Sequence, residues 1–197
     1  MTIVLASTSP FRKAILDNAG LEFQAAKAEI DERAAEKPLL ETGADAEDIA
    51  SLLAEAKALD VSPRFPSAYV IGGDQTLSME GELFHKVSDF DEARRRLIAM
   101  SGKAHQLNSA LAIVRDGETL WRHISVVNVH MRSYSPVFVG QYLAQAGEAV
   151  LKSVGVYQVE GIGIQLIDRI EGDYFSVIGL PLLPLLDQLR KLGAIDG

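Results

Sequence analysis

Two long β-prone stretches, His105 to Arg115 and Glu118 to Arg132, are separated only by Asp116-Gly117, and this limits the fold more than any other feature. Asp-Gly between extended segments favours a two-residue turn whose twist suits a hairpin. A purely parallel sheet has no place for such a hairpin, yet the first half of the chain alternates strands with helices. Ile3 to Ser7 reads as a short apolar strand. Ser9-Pro10 supplies an N-cap and a first helical residue, the helix runs to about Ala19, and Gly20 suits its C-terminal end. Phe23 to Ala26 predicts a second strand, and Asp45 to Leu59 has helical spacing through Ile49, Leu52, Leu53 and Ala56. Ala68 to Gly73 is another strand, and Leu77 to Met79 and Leu83 to His85 flank Glu80-Gly81 as a second hairpin. Further helices are predicted over Asp89 to Ser101, from Ser135-Pro136 to near Gly147, and from Pro181 to Leu192, with a strand around Gln165 to Ile170. Glu29 to Ala44 is charged, carries Pro38 and Gly43, and reads as a long irregular loop. The sum is an α/β fold with a mixed, partly antiparallel sheet.

No Gly/Ser linker, repeat or low-complexity tract divides the 197 residues, so we expect one domain over 1–197, with room for two lobes around a cleft. No apolar run reaches the roughly 18 to 20 residues that span a bilayer, which excludes a helical membrane protein. The N-terminal Met1-Thr2-Ile3-Val4-Leu5 lacks a basic region and a signal-type cleavage site, so a cytoplasmic location is expected. The absence of cysteine removes disulfides, thiolate metal sites and cysteine nucleophiles together. A net charge of −8 repels a polyphosphate backbone and argues against a nucleic-acid polymer as partner. A small phosphorylated ligand is still compatible, provided that a few cations converge.

Four segments carry residues suited to such a ligand. In Leu5 to Lys13, Ser7, Ser9, Arg12 and Lys13 gather around a helix N-terminus, whose backbone N–H groups and dipole favour an anion. Taken alone, these residues are better accounted for by an N-capped helix with surface cations, and the Gly-x-x-x-x-Gly-Lys phosphate loop is absent. Gly72-Gly73-Asp74-Gln75 ends an apolar strand, where an acid can hold Mg²⁺ or activate water; Asp31 is a candidate second carboxylate. Lys57 and Lys86 are candidates to neutralise phosphate charge, although a lone lysine is more often a surface residue. In Gly155 to Gly163, three glycines bracket Tyr157 and Glu160, which predicts either a close backbone approach or a glycine-rich bend in a sheet. His85, His105, His123 and His130 lack zinc-ligand spacing.

Taken in order, these segments resemble the Maf family of nucleotide pyrophosphatases over nearly the whole chain. The likeness is carried by Leu5-Ala6-Ser7-Thr8-Ser9-Pro10-Phe11-Arg12, by Gly72 to Asp74, by Ser101 to His105, and by Gly172 to Pro181. It implies an inosine triphosphatase-like fold with a cleft between two lobes, and usually a homodimer. It implies cleavage between the α- and β-phosphates of a nucleoside triphosphate, aided by a divalent cation such as Mg²⁺ or Mn²⁺. Asp74 would activate water or anchor the metal with Asp31, while Ser7, Arg12, Lys57 and Lys86 would bind phosphates.

Three positions depart from the common family pattern: Phe11, Gln75 and Glu160. They resemble the branch associated with 7-methyl-GTP, which has an aromatic residue (usually Trp), Gln and Glu there. A methylated guanine is cationic, so an aromatic face and a carboxylate both suit it. Ser153 and Val87 are two further departures, at positions where the family often has Lys and Pro. Alternatives are a broad or pyrimidine-preferring (dTTP/UTP) pyrophosphatase, a Ham-type inosine triphosphatase, and a nucleotide-binding regulator of cell division whose hydrolysis is incidental.

Overall fold

The computed structural model describes residues 1–196. Its strands are β1 (Ile3–Leu5), β2 (Gln24–Ala25), β3 (Tyr69–Met79), β4 (Glu82–Phe84), β5 (Ala104–Arg115), β6 (Glu118–Met131) and β7 (Ile167–Glu171). Its helices are α1 (Pro10–Asn18), α2 (Glu32–Glu41), α3 (Ala46–Val61), α4 (Phe90–Met100), α5 (Pro136–Ala146), α6 (Tyr174–Ile178) and α7 (Leu182–Lys191). The sheet is mixed and open, in the order β2-β1-β3-β5-β6-β7, with β4 pairing β3 off that path. β1 runs parallel to β2 and β3, while β3–β4 and β6–β7 are antiparallel. No helix among the described residues is long and apolar enough to cross a membrane.

The chain divides into two compact units. One comprises Met1–Gln75, Asn108–Ser125 and the segment from Phe175 onward; the other comprises Thr76–Leu107 and Val126–Tyr174. In the first unit both sheet faces are covered. Ile3, Leu5, Tyr69, Ile71, Leu111 and Ile113 pack with Leu16 of α1 and Leu185 and Leu189 of α7. Val4, Val70 and Val114 point the other way, onto Ala58 and Val61 of α3. Period-two alternation therefore yields two apolar faces, which is why β1 is buried throughout. Helix α3 lies so close to β3 that a Cβ on Gly72 would stand 1.9 Å from the Ala54 carbonyl oxygen. Only glycine fits that contact.

In the second unit, Glu80 and Gly81 both take positive φ and join β3 to β4, with Met79 opposite Glu82. Asp89 and Ser135 cap α4 and α5, which pack against each other. In the first unit, Asp116 and Gly117 likewise take positive φ, as the expected hairpin turn requires.

Several segments differ from expectation, beginning with β3, which joins the strands expected over Ala68 to Gly73 and Leu77 to Met79 into one. Residues 29–44 are not a continuous loop, because α2 occupies most of them. The Asp31 carboxylate accepts the Ala34 N–H at 3.1 Å, which starts a helix that tolerates Pro38 near its end. The glycines of residues 155–163 approach the segment itself: a Cβ on Gly155 would meet the Tyr157 ring at 2.4 Å, and one on Gly163 the Gln158 carbonyl at 2.5 Å. That segment is a compact turn leading into a 3₁₀ helix, Ile162–Leu166, and not a bend in a strand. Finally, α6 has no counterpart in the sequence reading.

Candidate active site

The candidate site lies in the first unit, beyond the end of β1 and around the middle of β3: the strand expected to stop at Gly73 runs on to Met79, so Asp74 stands within it and not at its end. The Ala6 N–H still donates to the Ile71 carbonyl at 2.8 Å, tying the start of the β1–α1 turn to β3. Beyond it, the Ser7 hydroxyl accepts the Ser9 N–H at 3.2 Å, and the Ser9 hydroxyl accepts the Arg12 N–H at 3.5 Å. These short-range bonds turn the chain sharply into α1 and set Arg12 in its first turn.

Arg12 is held from two sides. Its Nε donates to the Gly179 carbonyl at 2.8 Å, and Nη1 lies 3.5 Å from Ser7 Oγ. Its stem passes Gly73, where a Cβ would sit 3.4 Å from Nε. Burial lowers the Arg12 pKa from its ordinary value, while the charges of Asp74 and Glu32 raise it. An arginine starts so high that the group remains a cation.

Asp74 and Lys57 are both buried, and they meet directly: Lys57 Nζ is 2.6 Å from Asp74 Oδ1. On its other side the same ammonium lies 2.8 Å from Glu32 Oε1. Lys57 reaches this point because it lies on the buried face of α3 with Ile49, Leu53, Ala54 and Ala58. Gly72 allows the close approach of that face, two residues before Asp74. Two carboxylates and two cations thus balance in one place. For the buried Lys57 and Asp74, pairing is the form in which ionised groups are tolerated out of water, while Glu32 joins them from the exposed side.

The other sequence candidates fall elsewhere. Asp31 is exposed and spends its carboxylate on the start of α2; Glu32, one residue on, reaches Lys57. Sequence reasoning missed Glu32. The signal that would have found it is the helix start, since the cap residue's side chain turns back to the backbone and the next acid is free to point elsewhere. Gln75 donates its amide to Ser109 Oγ at 2.9 Å and to the carbonyls of Ser176 and Val177 at 3.0 and 3.1 Å. Phe11 is half-buried on α1. Lys86 and Glu160 are exposed on the second unit, after β4 and just before Ile162–Leu166. His105, also there, is buried, with Nε2 2.7 Å from Tyr157 Oη.

A divalent cation is compatible with this donor set. Among the described residues no group of three or more His, Asp or Glu side chains could hold a metal. Asp74 and Glu32 nonetheless offer hard oxygen donors around one ammonium. Mg²⁺ is commonly bound by one or two carboxylates, with substrate phosphates and water completing its shell.

Comparison with known proteins places the chain among relatives over nearly its whole length. The family described as "Maf-like protein" matches residues 2–192. The chain is 59% identical over 195 residues to the 7-methyl-GTP pyrophosphatase of Brucella suis biovar 1 (strain 1330), covering 99% of this chain and 98% of the relative. It is 58% identical to the 7-methyl-GTP pyrophosphatase of Mesorhizobium japonicum (strain LMG 29417 / CECT 9101 / MAFF 303099), with the same 99% and 98% coverage. It is 45% identical to the nucleoside triphosphate pyrophosphatase of Granulibacter bethesdensis (strain ATCC BAA-1260 / CGDNIH1), covering 99% of both chains. On its sequence motifs, its mixed α/β sheet and these matches, the chain belongs to the Maf-like protein family.

Proposed function

We propose that this chain hydrolyses nucleoside triphosphates to the monophosphate and pyrophosphate, and that 7-methyl-GTP is its preferred substrate. The observation that supports the chemistry best is the buried Asp74–Lys57 pair, joined by the exposed Glu32, with Arg12 close enough to feel both carboxylates. Water attacks the α-phosphorus and the Asp74 carboxylate takes its proton. The bond from the α-phosphorus to the bridging oxygen breaks, and pyrophosphate leaves with that oxygen. Charge on the phosphates is met by Arg12 and Lys57, with Ser7 Oγ as a hydrogen-bond partner, an arrangement that lowers the barrier without covalent catalysis. Asp74 and Glu32 would hold a divalent cation, which neutralises phosphate charge and polarises the phosphoryl oxygens. A substrate-binding role for Lys86 is a separate part of the proposal, checked by the KM of Lys86→Ala.

The preference for a methylated base rests on the names of the relatives and on Phe11 and Glu160. An aromatic ring attracts a cationic purine, and a carboxylate accepts hydrogen bonds from the guanine N1–H and amino group.

The test is pyrophosphate release from 7-methyl-GTP, UTP and dTTP under Mg²⁺ or Mn²⁺. Asp74→Asn keeps the side chain's size and should slow turnover by about 10²- to 10⁴-fold while nucleotide binding survives. Equal, slow release by wild type and variant would leave a nucleotide sensor as the better description. Phe11→Ala and Glu160→Gln should each lower the ratio of 7-methyl-GTP to UTP turnover; unchanged ratios in both would reject the base preference.

A further inference from the structure

Within the first unit, the residue after Asp74 is spent on holding the far end of the chain. The Gln75 amide nitrogen donates to Ser109 Oγ at 2.9 Å, to the Ser176 carbonyl at 3.0 Å and to the Val177 carbonyl at 3.1 Å. Ser109 Oγ itself donates to the Ser176 carbonyl at 2.7 Å, and Ser176 Oγ donates to Ser125 Oγ at 2.9 Å. Ser109 and Ser176 are fully buried. The final carbonyls of α6 are groups that a helix end leaves without internal partners, and here side chains satisfy them. Two residues beyond Val177, the Gly179 carbonyl accepts Arg12 Nε at 2.8 Å. Gly179 takes φ +99°, and a Cβ on it would stand 3.7 Å from both Arg12 Nη2 and the Gln75 amide carbon. The backbone between Ser176 and Gly179 is therefore fixed at one end by Gln75 and grips Arg12 at the other.

We infer that Gln75 is a positioning residue for phosphate binding: it locks the α6 end so that the Gly179 carbonyl holds the Arg12 guanidinium toward the triphosphate. This rests on the proposed role of Arg12 as a phosphate ligand. It differs from a role in reading the base, because its target is common to every nucleotide. An amide N–H that already serves three oxygens has no donor left for a base. A guanidinium anchored through Nε still has N–H donors on Nη2 and on Nη1, beside Ser7 Oγ, and arginine binds phosphate through such paired donors.

The experiment uses inorganic pyrophosphate, which has no base, as an inhibitor. Gln75→Met keeps the length and bulk of the side chain and removes its donors. We expect it to weaken pyrophosphate inhibition by about five- to tenfold, the scale of a lost buried hydrogen bond. KM should rise by the same factor for 7-methyl-GTP and UTP, leaving their kcat/KM ratio unchanged. In an Arg12→Ala background, Gln75→Met should weaken inhibition no further, because the two act on one contact. Ser109→Ala, which removes one acceptor of the amide, should shift inhibition in the same direction by less, and it serves if Gln75→Met does not fold. Unchanged pyrophosphate inhibition with an altered base ratio would overturn the inference in favour of base reading. Additive losses in the double variant would overturn it in favour of a general packing role. If Arg12→Ala alone leaves pyrophosphate inhibition intact, the phosphate-binding reading of Arg12 is what fails.

Discussion

Burial pushes the His105 imidazole pKa down to about 4, and the nearby His130 pushes it the same way. The ring packs edge-on to Tyr157, Nε2 meets its hydroxyl, and Nδ1 has no hydrogen-bond partner. A bare lone pair is cheaper to bury than a bare N–H, which favours the tautomer with the proton on Nε2, donated to Tyr157 Oη. The unfolded chain takes up a proton near pH 6.5, whereas the folded chain resists it until about pH 4. Stability from this group is therefore complete above pH 6.5 and is lost as pH falls toward 4, at up to about 1.4 kcal/mol per pH unit. Urea midpoints measured from pH 7.5 to 5 should fall more steeply for wild type than for His105→Gln. Parallel curves would show that His105 titrates as an ordinary surface histidine. The same residue shows how far a motif can be read: Ser-Gly-x-x-His marked the family but gave no role, because burial of a ring is a property of its neighbours and not of its spacing.

Helix α2 turns a pair of adjacent acids into two different parts. Asp31 closes the N-terminus, and Glu32, the first helical residue, reaches Lys57. Replacing Asp31 by alanine should cost the helix about 1 kcal/mol and lower activity through misplaced Glu32, most clearly at low metal concentration. Asp31→Ser, which can still cap, should retain most activity. Equal losses in the two variants would instead make the Asp31 carboxylate a direct ligand. This element was also the least legible one. Proline, glycine and dense charge between residues 29 and 44 all argue for a loop, and the helix exists because one cap and its contact with α3 outweigh local preference. The β1–α1 turn was readable because Ser9 and Pro10 specify it locally, and both hairpins were readable because Glu80-Gly81 and Asp116-Gly117 dictate their turns. The bonds from Gln75 to Ser109 and from Arg12 to Gly179 were not, since they join residues 34 and 167 positions apart.

At the scale of the whole molecule, β3, β5 and β6 each pass from one compact unit into the other. Neither unit can unfold without freeing strands that the other uses, so we expect one cooperative transition. The single tryptophan, Trp121, packs on the core of the first unit and reports on it alone. Its fluorescence and the far-ultraviolet circular dichroism should therefore give the same urea midpoint and slope; separate midpoints would mean that the units melt independently. The contact between Arg12 and the carbonyl of Gly179 spans nearly the whole chain. Loss of the segment from Gly179 onward would remove this holder together with Leu185 and Leu189, which cover one face of the sheet, so placing the guanidinium and closing the core depend on one stretch of chain.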